Sequence, residues 1–273
     1  MNIFEKFIHF FAGTMTTPIN FGVWHLISIA FVISTTIFIC CTFKNCSDKT
    51  FRRIILVFWI VMLVLEVYKQ VLFSYELNEK VGVWDFRWEF FPFQLCSMPL
   101  YVLPFVAFLK ESKVRDSIMS FMATFVFFGG VAVMIYPGNV FVEYIGINIQ
   151  TMVHHGLQVV LGVFIFIYNR KKFNHKYFLL GIIPFVAVLL IAIFSNLIMY
   201  RVLDEYFNMF YISPYFECHL PVLEVVQQKV PYFAFLLIYI LGFVFVAYLM
   251  FIIMRGIYNL ILFLWNKKNE QKN

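Results

Sequence analysis

Apolar residues run through this chain in long blocks, and the polar residues gather between the blocks or near one end of them. Seven blocks have the about 17–25 residues that a helix needs to cross a bilayer: 24–43, 54–73, 92–109, 118–136, 149–168, 177–199 and 232–254. Hydrocarbon offers no water to backbone N–H and C=O groups, so each block is predicted to be a helix. The pattern predicts an all-α polytopic membrane protein, a seven-transmembrane-helix bundle forming a single transmembrane domain over residues 1–273. No Gly/Ser or Pro linker divides the chain, and no internal repeat is visible. The last block is expected to continue to about Trp265, past Arg255 and Gly256, either tilted or bent onto the membrane surface.

The opening MNIFEKFIHFFAG is too short to span, and it lacks the basic start and small-residue cleavage site of a signal peptide. Phe4, Phe7, Ile8 and Phe11 recur at helical spacing, which predicts a helix lying along the outer interface. The stretch SYELNEKVGVWDFRWEFFP mixes acids with Trp84 and Trp88, as an interfacial lid or an aromatic belt would.

Composition agrees with the pattern: 62% of residues are hydrophobic and 13% charged, with mean hydropathy +0.84. The 37 phenylalanines, together with many Ile, Lys and Asn, fit AT-biased codons and a bacterial plasma membrane. The net charge of +6 belongs to loops. Alternate loops carry fourteen Lys and Arg on one side and five on the other. The richer side is expected to be cytoplasmic, which puts the N-terminus outside and the C-terminus in the cytoplasm. No basic–aromatic stripe suggests a nucleic-acid partner.

This topology converts sequence position into depth. His155 stands six residues into the fifth block and Cys96 four residues into the third, so about 9 Å and 6 Å below the outer edge. Gln94 is shallower. Glu66, Lys69 and Gln70 share one face of the second helix at i, i+3 and i+4. Asn196 reaches a similar level on the sixth. The inner halves are almost wholly Phe, Ile, Leu and Val. Polar groups facing lipid are costly, so these side chains are expected to converge on one cavity near the outer leaflet, with the Phe-rich half below holding an apolar chain.

Each group has a plain and a chemical reading. His154 and His155, with Gln158 a turn away, serve as interhelical hydrogen-bonding residues or as a base. Cys96 is a small packing residue or a nucleophile activated by histidine. Glu66 and Lys69 are an ion pair that staples helices, or a charge beside the reaction. Cys96 and Cys218 are the cysteines placed for a disulfide. Adjacent histidines do not bind one tetrahedral ion easily, and HExxH and HxxxH spacings are absent, so no metal and no cofactor is expected.

The segments LCSMPLYVLPFVAFLK, FFGGVAVMIYP, HHGLQVVLGVFIFIY, SNLIMY and VPYFAFLLIYI, in this order, resemble the YwaF-like integral membrane proteins, whose eukaryotic relatives are the TMEM164 proteins. The likeness extends from about residue 20 to 255. It implies an acyltransferase that remodels phospholipids through a cysteine and a histidine, here Cys96 and His155. The expected function is therefore a membrane-embedded acyltransferase or lipid acyl hydrolase working through a thioester, with a membrane phospholipid or lyso-lipid as partner. His154, Gln94, Glu66, Lys69, Asn196 and Gln158 would support the pair. The residues leave open a small-molecule or ion-coupled transporter with a Glu/Lys/His site.

Overall fold

The computed structural model describes residue 6 and residues 12–78, 81–203 and 205–270. The helix expected at Phe4, Phe7, Ile8 and Phe11 lies outside the described residues. The order of the main helices is α1 (Val23–Phe43), α2 (Asp48–Ser74), α3 (Met98–Phe108), α4 (Lys113–Ile135), α5 (Ile145–Tyr168), α6 (His175–Val202), α7 (Leu223–Lys229) and α8 (Tyr232–Glu270). Tyr75–Asn78 (β1) and Val81–Trp84 (β2) form an antiparallel hairpin after α2. The stretch read as a lid or belt thus begins as a two-stranded ribbon.

Among the described residues, six helices are long and apolar enough to cross a membrane: α1, α2, α4, α5, α6 and α8. The third block falls short. Its helix proper is the 11 residues of α3, entered through a tight 3-10 turn at Leu95–Ser97. Pro92 keeps Phe91 extended, and the chain remains extended at Gln94 before the turn begins. Pro99 is tolerated because it stands in the first turn. The last helix does not stop at Gly256. It continues as one helix of 39 residues, about 58 Å long.

Burial sorts the helices into centre and rim. In α4 and α5, 67% of the apolar stretch is buried, against 6% in α1 and 17% in α8. The two central helices touch α1, α2, α6 and α8 between them. Phe51, Phe121, Phe125, Phe164, Phe185 and Phe251 are all sealed in this core. The Phe-rich half is closely packed at these positions, and a groove of about 480 Å³ lined by Phe178, Ile182, Leu241, Val244 and Phe245 lies between α6 and α8 beside it.

Side-chain caps set three helix starts. Ser47, Ser112 and Asn174 accept the N–H groups of Thr50, Arg115 and Tyr177 at 3.2, 3.2 and 3.0 Å. On α2 the buried positions are Phe51, Ile55, Phe58, Met62 and Glu66, every third or fourth residue. The stripe that seats α2 on the bundle thereby carries a carboxylate inward at its far end.

Candidate active site

Cys96 occupies the 3-10 turn that leads into α3, with Ser97 as the helix N-cap. The positive end of the α3 dipole therefore lies beside its sulfur, and the Ser97 hydroxyl is within hydrogen-bonding reach of that sulfur. The carbonyl of Cys96 is held by two side chains of α5. His154 Nε2 lies 2.9 Å from this oxygen and Gln158 Nε2 lies 2.7 Å from it. His154 and Gln158 are one turn apart on one face of α5, which is why they reach one atom.

The partners settle the histidine tautomers. A carbonyl oxygen only accepts, so the ring nitrogen facing it carries the proton. His154 is protonated on Nε2, and its bare Nδ1 is sealed without a partner. His155 donates from Nδ1 to Thr151 O at 2.8 Å, which leaves the lone pair on Nε2. The two rings meet edge-on with centroids 5.6 Å apart. Among the described residues, no hydrogen bond joins the Cys96 sulfur to either imidazole.

Lys69 and Glu66 complete the cluster. Lys69 Nζ is 2.9 Å from Glu66 Oε1, and Gln70 donates to that oxygen at 2.7 Å while also reaching Phe90 O at 2.6 Å. The Lys69 charge is felt at Cys96, His154 and His155, and the Glu66 charge at Cys96. A buried carboxylate costs several kcal/mol unless paired and hydrogen-bonded, and Glu66 has both kinds of partner.

Gln94 and Asn196 stand elsewhere. Gln94 donates to Asn208 O at 2.9 Å and accepts from Phe210 N at 2.6 Å. Asn196 donates to Met209 O at 3.0 Å and accepts from Met209 N at 2.7 Å. Both amides clamp the loop between α6 and α7, and their polar atoms are spent there. Phe210 and Tyr211 of this loop hold left-handed backbone conformations, with φ of 57° and 55°, which is uncommon and strained for side chains of this size. Burial pushes the Tyr211 phenol up to about 12, and the field of Cys96 adds to it. Tyr211 and Ser97 were not legible as site residues. Ser97 is simply the next residue in the chain, and Tyr211 comes near Cys96 through a loop whose path no periodicity describes.

His25 is also structural. It accepts from Phe21 N at 2.8 Å and donates to Met134 O at 2.9 Å. All five cysteines are free, so the pairing considered for Cys96 and Cys218 is not made. Among the described residues, no three His, Cys, Asp or Glu side chains are grouped to hold a metal ion.

The model of the TMEM164 family matches residues 20–267, nearly the whole chain. The chain belongs to the TMEM164 family. With six apolar helices of spanning length, this TMEM164-family chain is an integral membrane protein. No curated protein matches it, and no solved structure does.

Proposed function

We propose that this TMEM164-family protein is a membrane-embedded acyltransferase or lipid acyl hydrolase, with Cys96 as nucleophile and His155 as its base. The observation that carries the reading is the junction of α3 and α5. His154 and Gln158 grip the Cys96 carbonyl, which brings a thiol at a helix N-terminus to the helix that bears two histidines. Cys96 remains half-buried rather than sealed. The Thr151 carbonyl keeps the His155 proton on Nδ1 and offers Nε2 for proton transfer. A thiol and base often close to hydrogen-bonding distance only once substrate is bound.

In this mechanism the Cys96 proton passes to His155 Nε2, and the thiolate attacks an ester carbonyl of a membrane phospholipid. The lyso-lipid alkoxide leaves and takes the proton from His155, and a thioester remains on Cys96. A hydroxyl or water then releases the acyl group. The chain has a place to lie. A groove of about 210 Å³ between α1 and α5 is lined by Trp24, Ile27, Phe31, Val32, Met152 and Val153, and Val32 meets Gly156, next to His155. In a bacterial plasma membrane the reading includes seven crossings. The third consists of α3 and the irregular segment before it, the basic loops and C-terminus are cytoplasmic, and the site opens to the outer leaflet. The transporter reading is less favoured, because Lys69 and Gln70 already satisfy Glu66.

The test is direct. Purified full-length protein in vesicles with an alkyne-tagged phospholipid should acquire a hydroxylamine-sensitive acyl label on Cys96. Cys96→Ala should abolish the label and all acyl transfer without a change in thermal stability. Transfer that persists in Cys96→Ala sinks the proposal.

A further inference from the structure

Two acceptor atoms on the side chains that hold the Cys96 carbonyl are buried and have no hydrogen-bond partner in the protein. His154 and Gln158 are 3% and 0% exposed. Each donates through Nε2 to the Cys96 carbonyl, and each keeps a second heteroatom, His154 Nδ1 and Gln158 Oε1, sealed and without a partner. A buried polar atom without a partner costs about 1–3 kcal/mol, and such atoms are few in folded proteins. Two of them, one turn apart on one helix face, are attached to groups that grip a single oxygen. Gly129 borders Gln158 Oε1, where even an added Cβ would stay 3.9 Å away.

We propose that His154 Nδ1 and Gln158 Oε1 form the binding site for the hydroxyl group that accepts the acyl chain, with His154 as its base. The proposal rests on Cys96 carrying the acyl group as described above, and it divides the work between the two histidines. Both unpartnered atoms are acceptors, so the ligand they suit is a hydrogen-bond donor. It is a neutral O–H rather than an ammonium, because the nearby carboxylate is already matched by Lys69 at 2.9 Å and Gln70 at 2.7 Å. The hydroxyl belongs to a lyso-lipid or to water. Its proton goes to His154 Nδ1, its oxygen bonds to the thioester carbonyl carbon, and the C–S bond breaks. The Cys96 thiolate then takes the proton from His154. The Cys96 carbonyl, accepting from His154 Nε2–H, orients the base and steadies the imidazolium, as a carboxylate does in a serine-hydrolase triad.

His154→Gln separates this role from a structural one. Glutamine carries an N–H donor to about the position of Nε2, so the bond to the Cys96 carbonyl is kept while the basic lone pair is lost. Full-length protein in phospholipid vesicles is acylated with the tagged lipid, and release of label from Cys96 is timed with and without added lyso-phospholipid. His154→Gln should acylate normally and release the chain about 100-fold more slowly. Gln158→Met leaves the His154 bond in place but removes both the Oε1 acceptor and the Nε2 bond to the Cys96 carbonyl; it should slow release at least about tenfold while acylation proceeds as in the wild type. It carries the test if His154→Gln does not fold. A tagged phospholipid product identifies a lipid hydroxyl as acceptor, and a tagged free fatty acid identifies water. Release at the wild-type rate in both variants overturns the proposal, as does failure of a folded His154→Gln to acylate. Absence of label in the wild type removes the thioester reading itself, and the two failures are thus distinct.

Discussion

The half-buried amide of Gln94 and the buried amide of Asn196 each bind the loop beyond α6 through both heteroatoms. A side-chain amide is the right length to act as one more peptide group, and here it closes a short ladder with Met209 or with the Asn208–Phe210 segment. Asn196 is fully buried, so its loss strands the Met209 N–H and C=O where water does not follow. Asn196→Ala is expected to lower stability by about 2–4 kcal/mol, read as the unfolding midpoint in detergent. Asn196→Asp keeps the acceptor, loses the donor, and should fall between. At this scale the sequence located polar residues by depth but not by partner. Gln94, Cys96 and Asn196 are all expected near the same end of the bundle, yet of the three only Cys96 meets α5. Which way an amide points is decided by the loop it meets, and that loop has no period to read.

Helix contacts at the site depend on glycine. A Cβ on Gly130 would stand 2.8 Å from His155 O and 2.8 Å from Gln158 Cβ, so α4 approaches α5 closely because that atom is missing. Small residues at membrane-helix crossings have this role in general, since close backbone approach drives association where no hydrophobic effect operates. Gly130→Ala should push the two helices apart just where α5 carries its histidines. The expected cost is about 1–3 kcal/mol, with acyl transfer falling more than tenfold as the geometry loosens. Gly256, with nothing within 4 Å, is the control: Gly256→Ala should leave activity unchanged and stability equal or slightly raised. Upstream of Gly130, α4 widens into a π turn at Met122–Val126, a feature that often lies near functional sites. Nothing in the apolar run 118–136 marks that turn, since every residue in it suits an ordinary helix as well.

Across the whole molecule, the two ends of the bundle are tied differently. At the end that holds Cys96 the ties between elements are amides and histidines on backbone. At the basic end they are charges. Arg115, 1% exposed, donates to Asp48 at 2.7 Å and to Val106 O at 3.1 Å. Tyr168 also donates to Asp48, at 3.0 Å. One guanidinium thus fastens α2, α3 and α4, and its carboxylate reaches α5. Arg115→Met should cost about 2 kcal/mol in detergent unfolding. This falls below the usual figure for a broken buried pair, because Asp48 is partly exposed and regains water. Arg115 counted as a loop charge when orientation was read from the sequence, and its burial shows that charge counting assigns a side without assigning a role.

By itself the sequence determined what depends on composition over a stretch: a membrane protein, helices from the apolar runs, the shared face of Glu66, Lys69 and Gln70, and the expectation that Cys96, Glu66, His154 and His155 gather at one end of the bundle. These follow from the cost of exposing backbone or charge to hydrocarbon, which acts on each segment alone. Tertiary structure decided the rest. It showed that His154, with Gln158, takes the Cys96 carbonyl while His155 turns to its own helix. It gave Gln94 and Asn196 to a loop and shortened the third helix to 11 residues. Those outcomes depend on which atoms meet across different helices, and hydrogen-bond direction and close packing are properties of the pair rather than of either residue.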